Sequence, residues 1–103
     1  MIKMVEFEII LKKIDQLIDL LGGYWDMEWL IHPVIEELGE FSKELQVYAG
    51  LHPKKVTNLE NLHEEFGDLL FAVLALGRGL EIDIEKAIFK TINKYQIRDG
   101  KTD

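Results

Sequence analysis

The chain contains no cysteine, which excludes disulfides, thiolate nucleophiles and cysteine-ligated zinc. Proline occurs only twice, so long stretches are free of the residue that most strongly breaks helices. Basic residues are outnumbered, with 12 Lys and Arg against 19 Asp and Glu and a formal net charge of −7. That sign argues against nucleic-acid binding through phosphate neutralisation. Phosphate recognition then requires a metal ion or a local basic cluster. The longest apolar run, Leu69 to Leu76, is eight residues, well short of the ~20 needed to span a bilayer. Glu6 and Glu8 interrupt the apolar pattern of the N-terminus, which does not resemble a secretory signal. A cytoplasmic protein without membrane or nucleic-acid partners is expected.

What is present is helical in period. Residues 3 to 21 place Phe7, Ile10, Leu11, Ile14, Leu17, Ile18 and Leu21 on one arc, with Glu8, Lys12, Asp15, Gln16 and Asp19 opposite. That is an amphipathic helix of structural role, closed by Gly22-Gly23. Asp26 is an expected N-cap, and Pro33 either starts the next helix or kinks it. This second helix, Val34 to Ala49, carries an apolar stripe of Val34, Leu38, Phe41, Leu45 and Tyr48, flanked by Glu37, Glu40 and Glu44. Thr57-Asn58-Leu59-Glu60 has the form of a capping box and predicts a third helix, ending at Gly77-Arg78-Gly79. Its Leu69–Leu76 half is apolar on every side, the pattern of a central or subunit-interface helix buried all round. Asp83 is expected to cap a fourth helix, Ile84 to Arg98, whose apolar face is Ile84, Ile88, Ile92 and Tyr95. The reading is a single all-α domain, residues 1–103, with a four-helix bundle-like architecture. At 103 residues its core is small, and completion by dimerisation is expected.

The chemistry lies in two acidic pairs. Glu37 with Glu40, and Glu65 with Asp68, are each three residues apart, so each pair shares one helix face. Glu37, Glu40 and Glu44 have almost no basic residue one turn away to relieve their repulsion, an arrangement that a cation between them would stabilise. Helices that pack these pairs together would offer a hard divalent cation an oxygen-rich site, suited to Mg²⁺. Acids near a helix start also complement the macrodipole. That accounts for Glu60 and Glu64 better than for Asp68. A di-iron carboxylate bundle needs Glu-x-x-His on two helices, and only Glu60-x-x-His63 fits. Trp25 and Trp29 either stack on a nucleobase or fill the core. Lys94 and Arg98 approach the core margin of the fourth helix. They either bind phosphate or favour the helix C-terminus.

Glu36-Glu37-x-x-Glu40, followed after 24 residues by Glu65-x-x-Asp68, resembles the EExxE…ExxD signature of MazG-type nucleoside triphosphate pyrophosphohydrolases. These belong to the all-α NTP pyrophosphatase superfamily. Gly22-Gly23-x-Trp25-Asp26-x-Glu28 resembles the segment before that motif, and Glu64 through Phe71 resembles its second half. The likeness extends over residues 5 to 98. It implies Mg²⁺-dependent hydrolysis of a nucleoside triphosphate to the monophosphate and pyrophosphate, with clearance of non-standard nucleotides as a role and Mn²⁺ as a substitute. By motif position it implies Glu37, Glu40, Glu65 and Asp68 as metal ligands, and Glu36 with Glu37 in activating the water. Trp25 or Trp29 would hold the base, Lys54 or Lys55 would reach the triphosphate, and Lys94 or Arg98 would stabilise developing charge. A homodimer or homotetramer is implied. The alternatives are a phosphoribosyl-ATP pyrophosphatase-like enzyme and a non-enzymatic helical dimerisation module.

Overall fold

Four helices form where the apolar period places them, in a computed structural model that describes residues 4–52 and 55–100. Helix α1 spans Met4–Leu20 and buries Leu11 and Ile14, which are one turn apart on the predicted arc. It stops because Gly22 and Gly23 take φ of 109° and 93°, a left-handed backbone that side chains disfavour. The Gly23 amide then returns to the Ile18 carbonyl at 2.9 Å, tying off the helix end.

A single 3₁₀ turn, Met27–Trp29, leads into α2, His32–Tyr48. Asp26 precedes the 3₁₀ turn and makes no side-chain capping bond, contrary to expectation. Pro33 lies in the first turn of α2, where its missing N–H has no helical partner to lose.

Helix α3, Leu59–Gly79, begins one residue later than the capping box predicts. Asn58, not Thr57, is the N-cap, and its side chain accepts from the Asn61 amide at 2.8 Å, a bond typically worth ~1 kcal/mol. Thr57 is drawn away because its hydroxyl donates to the Glu44 carboxylate of α2. The helix ends within the Gly77-Arg78-Gly79 segment, as expected, with Gly79 its last residue. Those glycines serve close approach. A Cβ on Gly77 would lie 2.8 Å from Ile84 Cδ1, and one on Gly79 would lie 2.9 Å from Leu30 Cδ1. The chain turns after Leu80 with Glu81 at φ 58°. Helix α4, Ile84–Arg98, starts at Asp83, which accepts from the Lys86 amide at 3.1 Å, as predicted.

Helix α3 is the centre, packing principally on α2, then on α1, and touching α4 least. Glu44 lies beside Thr57, while Pro33 shares a cleft with Ala72, so α2 and α3 run antiparallel. The half-buried positions of α2 are Pro33, Val34, Glu37, Phe41, Glu44 and Val47, and those of α3 include Leu62, Glu65 and Leu69. This is a correction to the α2 stripe. Leu38 and Leu45 are exposed, and the acids Glu37 and Glu44 face inward instead of flanking the core. Helix α2 carries two apolar faces, and the chain covers only the one that also holds carboxylates. Phe41 and Phe66 meet edge to face at 5.7 Å beneath them.

The expectation that Leu69–Leu76 is buried all round also fails for a single chain. Ala72 is buried, but Leu70 and Val73 remain 45% and 42% exposed. The buried side chains among the described residues are Leu11, Ile14, Leu30 and Ala72. On α4, Ile88, Ile92 and Tyr95 are exposed. The radius of gyration is 16.6 Å, against roughly 13 Å for a compact chain of this length. The four helices form an all-α but open arrangement, with apolar faces that no other described element covers.

Candidate metal centre

Antiparallel packing of α2 on α3 brings Glu37 opposite Glu65 and Asp68. One carboxylate oxygen from each lies within 4.8 Å of the other two. Glu65 sits above its usual carboxylate range, chiefly through desolvation. The charge of Asp68, then those of Glu37, Glu40 and Glu44, add to the rise. None of the three acids forms an ion pair with a described residue. Three hard oxygen donors whose charges repel one another are a donor set fitted to a divalent cation. Glu40 lies outside the trio and reaches Lys43 at 3.4 Å, although its charge is felt at Glu65. Glu36 points away from α3 and meets His32 at 2.9 Å.

A cleft of about 600 Å³ opens beside the trio, within the ~300–1,000 Å³ usual for small-molecule sites. Glu37 and Asp68 stand at its polar end, Ala72 and Ala75 form a floor, and Trp25 and Phe71 contribute aromatic wall. Trp25 is thus beside the carboxylates and 58% exposed, not in the core. Trp29 is equally open and shares with Trp25 a shallow outer depression, not the cleft. The cationic candidates are not gathered here. Lys94 and Arg98 lie over the Tyr95 ring, 5.1 and 4.7 Å from its centroid, and Arg98 also meets Asp99 at 3.2 Å. Lys55 is exposed on the α2–α3 loop, and Lys54 lies outside the described residues.

One polar network escapes sequence reasoning, which treats α1 as purely structural. Asp15 of α1 accepts from Tyr24 Oη at 2.5 Å and from Arg78 Nε at 3.2 Å, and its second oxygen accepts from Arg78 Nη2. The signal available was a lone arginine closing the apolar run of α3. The hydrogen bonds from Arg78 and then Tyr24 hold Asp15 below its ordinary value of 3.8. A folded-state value below the unfolded one means that this stabilisation is present at neutral pH. It is lost as pH falls through 3.8 toward the lower folded value. Melting curves from about pH 7 to about pH 3 should therefore fall more steeply for the unmodified protein than for Asp15→Asn. Parallel curves would show the network to be inert.

Residues 26–102 match the MazG nucleotide pyrophosphohydrolase domain. The chain is 35% identical over 78 residues to YpjD of Bacillus subtilis, covering 75% of this chain and 70% of that protein. The crystal structure of the same YpjD, described there as a candidate pyrophosphatase, superposes with a TM-score of 0.77 at 31% identity. That superposition spans 85% of this chain and 92% of the other. A second relative is the nucleoside triphosphate pyrophosphohydrolase/pyrophosphatase MazG of Thermotoga maritima. It is 38% identical over 68 residues, which make up 66% of this chain but 24% of that protein. The inward acids of the α2–α3 hairpin and these matches together place the chain in the MazG nucleotide pyrophosphohydrolase domain family.

Proposed function

We propose that this domain hydrolyses a nucleoside or deoxynucleoside triphosphate to the monophosphate and pyrophosphate in a Mg²⁺-dependent reaction, with clearance of non-standard nucleotides as its role. The observation that carries the proposal is the convergence of Glu37, Glu65 and Asp68 within 4.8 Å at the mouth of the cleft. When bound, Mg²⁺ supplies Lewis-acid polarisation of a phosphoryl oxygen and eases deprotonation of water.

Glu37, Glu65 and Asp68 would hold the ion, with Glu40, 3.4 Å from Lys43, as the further candidate ligand. The water forms a new P–O bond as the α–β bridging bond breaks, and pyrophosphate leaves. Glu37 would accept the proton of the attacking water, whereas Glu36, paired with His32, would assist only after turning from it. Carboxylates held in place by the packing of α2 on α3 would orient that water more firmly than mobile ones. Trp25 stacks on the base across the cleft from Ala72 and Ala75. The phosphate-facing cations, drawn from Lys54, Lys94 and Arg98, would be completed in a homodimer or homotetramer, because neither Lys94 nor Arg98 lines the cleft of one chain.

Millimolar Mg²⁺ or Mn²⁺ is expected to raise the melting temperature, since ligand binding to the native state alone stabilises it. Pyrophosphate release is then screened across standard, deoxy and damaged triphosphates. A melting temperature indifferent to both ions would overturn the metal centre. Ion-dependent stability without release from any triphosphate would favour the interaction-module alternative.

A further inference from the structure

We infer that Tyr24 is a positioning residue: pinned by Asp15 and Arg78, it sets the wall of the apolar cleft and places Trp25 beside the Glu37–Glu65–Asp68 carboxylates. The inference rests on the reading of that cleft as the seat of the nucleotide.

Tyr24 is held at both ends of its side chain. Its hydroxyl donates to Asp15 Oδ1 at 2.5 Å, an oxygen that also accepts from Arg78 Nε at 3.2 Å. Its ring lies against Gly79, where a Cβ would come 3.0 Å from Tyr24 Cδ1 and 2.9 Å from Leu30 Cδ1. Asp15 and Arg78 are 63 residues apart, so the tyrosine is fixed to α1 and to the end of α3 at once. The same residue is a partition. One side faces the apolar cleft that holds Glu37 and Asp68, and the other faces a recess lined by Asp15, Asp19 and Arg78.

The segment around it has little else to fix it. Gly22 and Gly23 adopt left-handed φ, and a Cβ on either would meet nothing within 4 Å. Trp25, the next residue, is more than half exposed. With more than half of its surface open, the indole depends for its position on the anchored residue before it. An Arg fork closing on both oxygens of a carboxylate gives geometric definition that a single point charge does not. The burial of the phenol and its bond to Asp15 also keep the Tyr24 hydroxyl protonated and donating far above neutral pH. The anchor is therefore not titrated under working conditions.

The test uses Tyr24→Phe, which removes the hydroxyl and keeps the ring, and Arg78→Lys, which keeps the charge and removes the fork. Kinetics use the triphosphate turned over fastest by the unmodified protein. Both variants should raise KM by about fivefold to tenfold, the loss expected for one charge-assisted hydrogen bond, with kcat within about twofold. A separate measurement in the Trp29→Phe background reads Trp25 alone by fluorescence, without substrate or metal. There, Tyr24→Phe should make Trp25 more accessible to acrylamide and shift its emission. A lowered melting temperature with unchanged KM and unchanged Trp25 quenching would overturn the inference and leave a simple staple. If the unmodified protein turns over no triphosphate, the proposed activity fails, and the fluorescence measurement still decides whether Tyr24 positions Trp25.

Discussion

Replacing Glu65 with Gln is expected to lower pyrophosphate release roughly 10²–10³-fold, the range that follows when Lewis-acid stabilisation of a phosphoryl transition state is lost. The same variant should melt higher than the unmodified protein in the absence of metal. Desolvation and four neighbouring acids hold Glu65 above its ordinary value of 4.5, so the folded state disfavours its charge. A folded value raised above the unfolded one means that stability declines as pH rises from 4.5 through the folded value. A neutral amide removes that decline, and with it much of the response of the melting temperature to Mg²⁺. Glu60, in the first turn of α3, provides the control. Its replacement by Gln should leave turnover and ion response unchanged. Wild-type turnover in Glu65→Gln would dismiss the trio as the catalytic metal centre.

Replacing Ile92 with Asp should dissociate the protein and remove its activity while leaving the fold of the single chain largely intact. Ile92 is 45% exposed on α4, so an aspartate there costs the isolated chain little. In an assembly that buries the α4 face, the same carboxylate is desolvated without a partner. Association should then be weakened by about a hundredfold or more in favour of the monomer. Light scattering at micromolar concentration should show one chain for Ile92→Asp and two or four for the parent. The melting temperature of the parent should rise with protein concentration, and that of the variant should not. A monomeric parent, or an unaltered oligomer in the variant, would refute self-association through this face.

Helix existence was legible because apolar period and stop signals are local. Gly22-Gly23 and Asp83 each act within one turn. Misreadings arose where a distant group competed. Thr57 fits a cap by spacing, but Glu44 of another helix takes its hydroxyl. Gly77-Arg78-Gly79 ends its helix as read, but the close seating of Ile84 on Gly77 has no local signal. The face of α2 was misjudged because hydropathy cannot tell which of two apolar stripes meets α3 and which awaits another surface. Glu37, Glu65 and Asp68 could be paired from the sequence because repulsive acids at helical spacing invite a shared cation. The Asp15–Tyr24–Arg78 network has no period and no local motif. It exists only once α1 lies against the end of α3.

The open protomer also has a consequence for supply in the cell. If protomers assemble as proposed, a chain with so few buried side chains among its described residues is exposed to proteases and to aggregation until it meets a second copy. At low synthesis rates, encounter between chains is the slow step, and the yield of assembled enzyme rises with the square of the rate. Above a threshold, assembly outpaces destruction and the dependence becomes linear. Two-fold changes in expression well below that threshold would then change the amount of assembled protein by roughly four-fold.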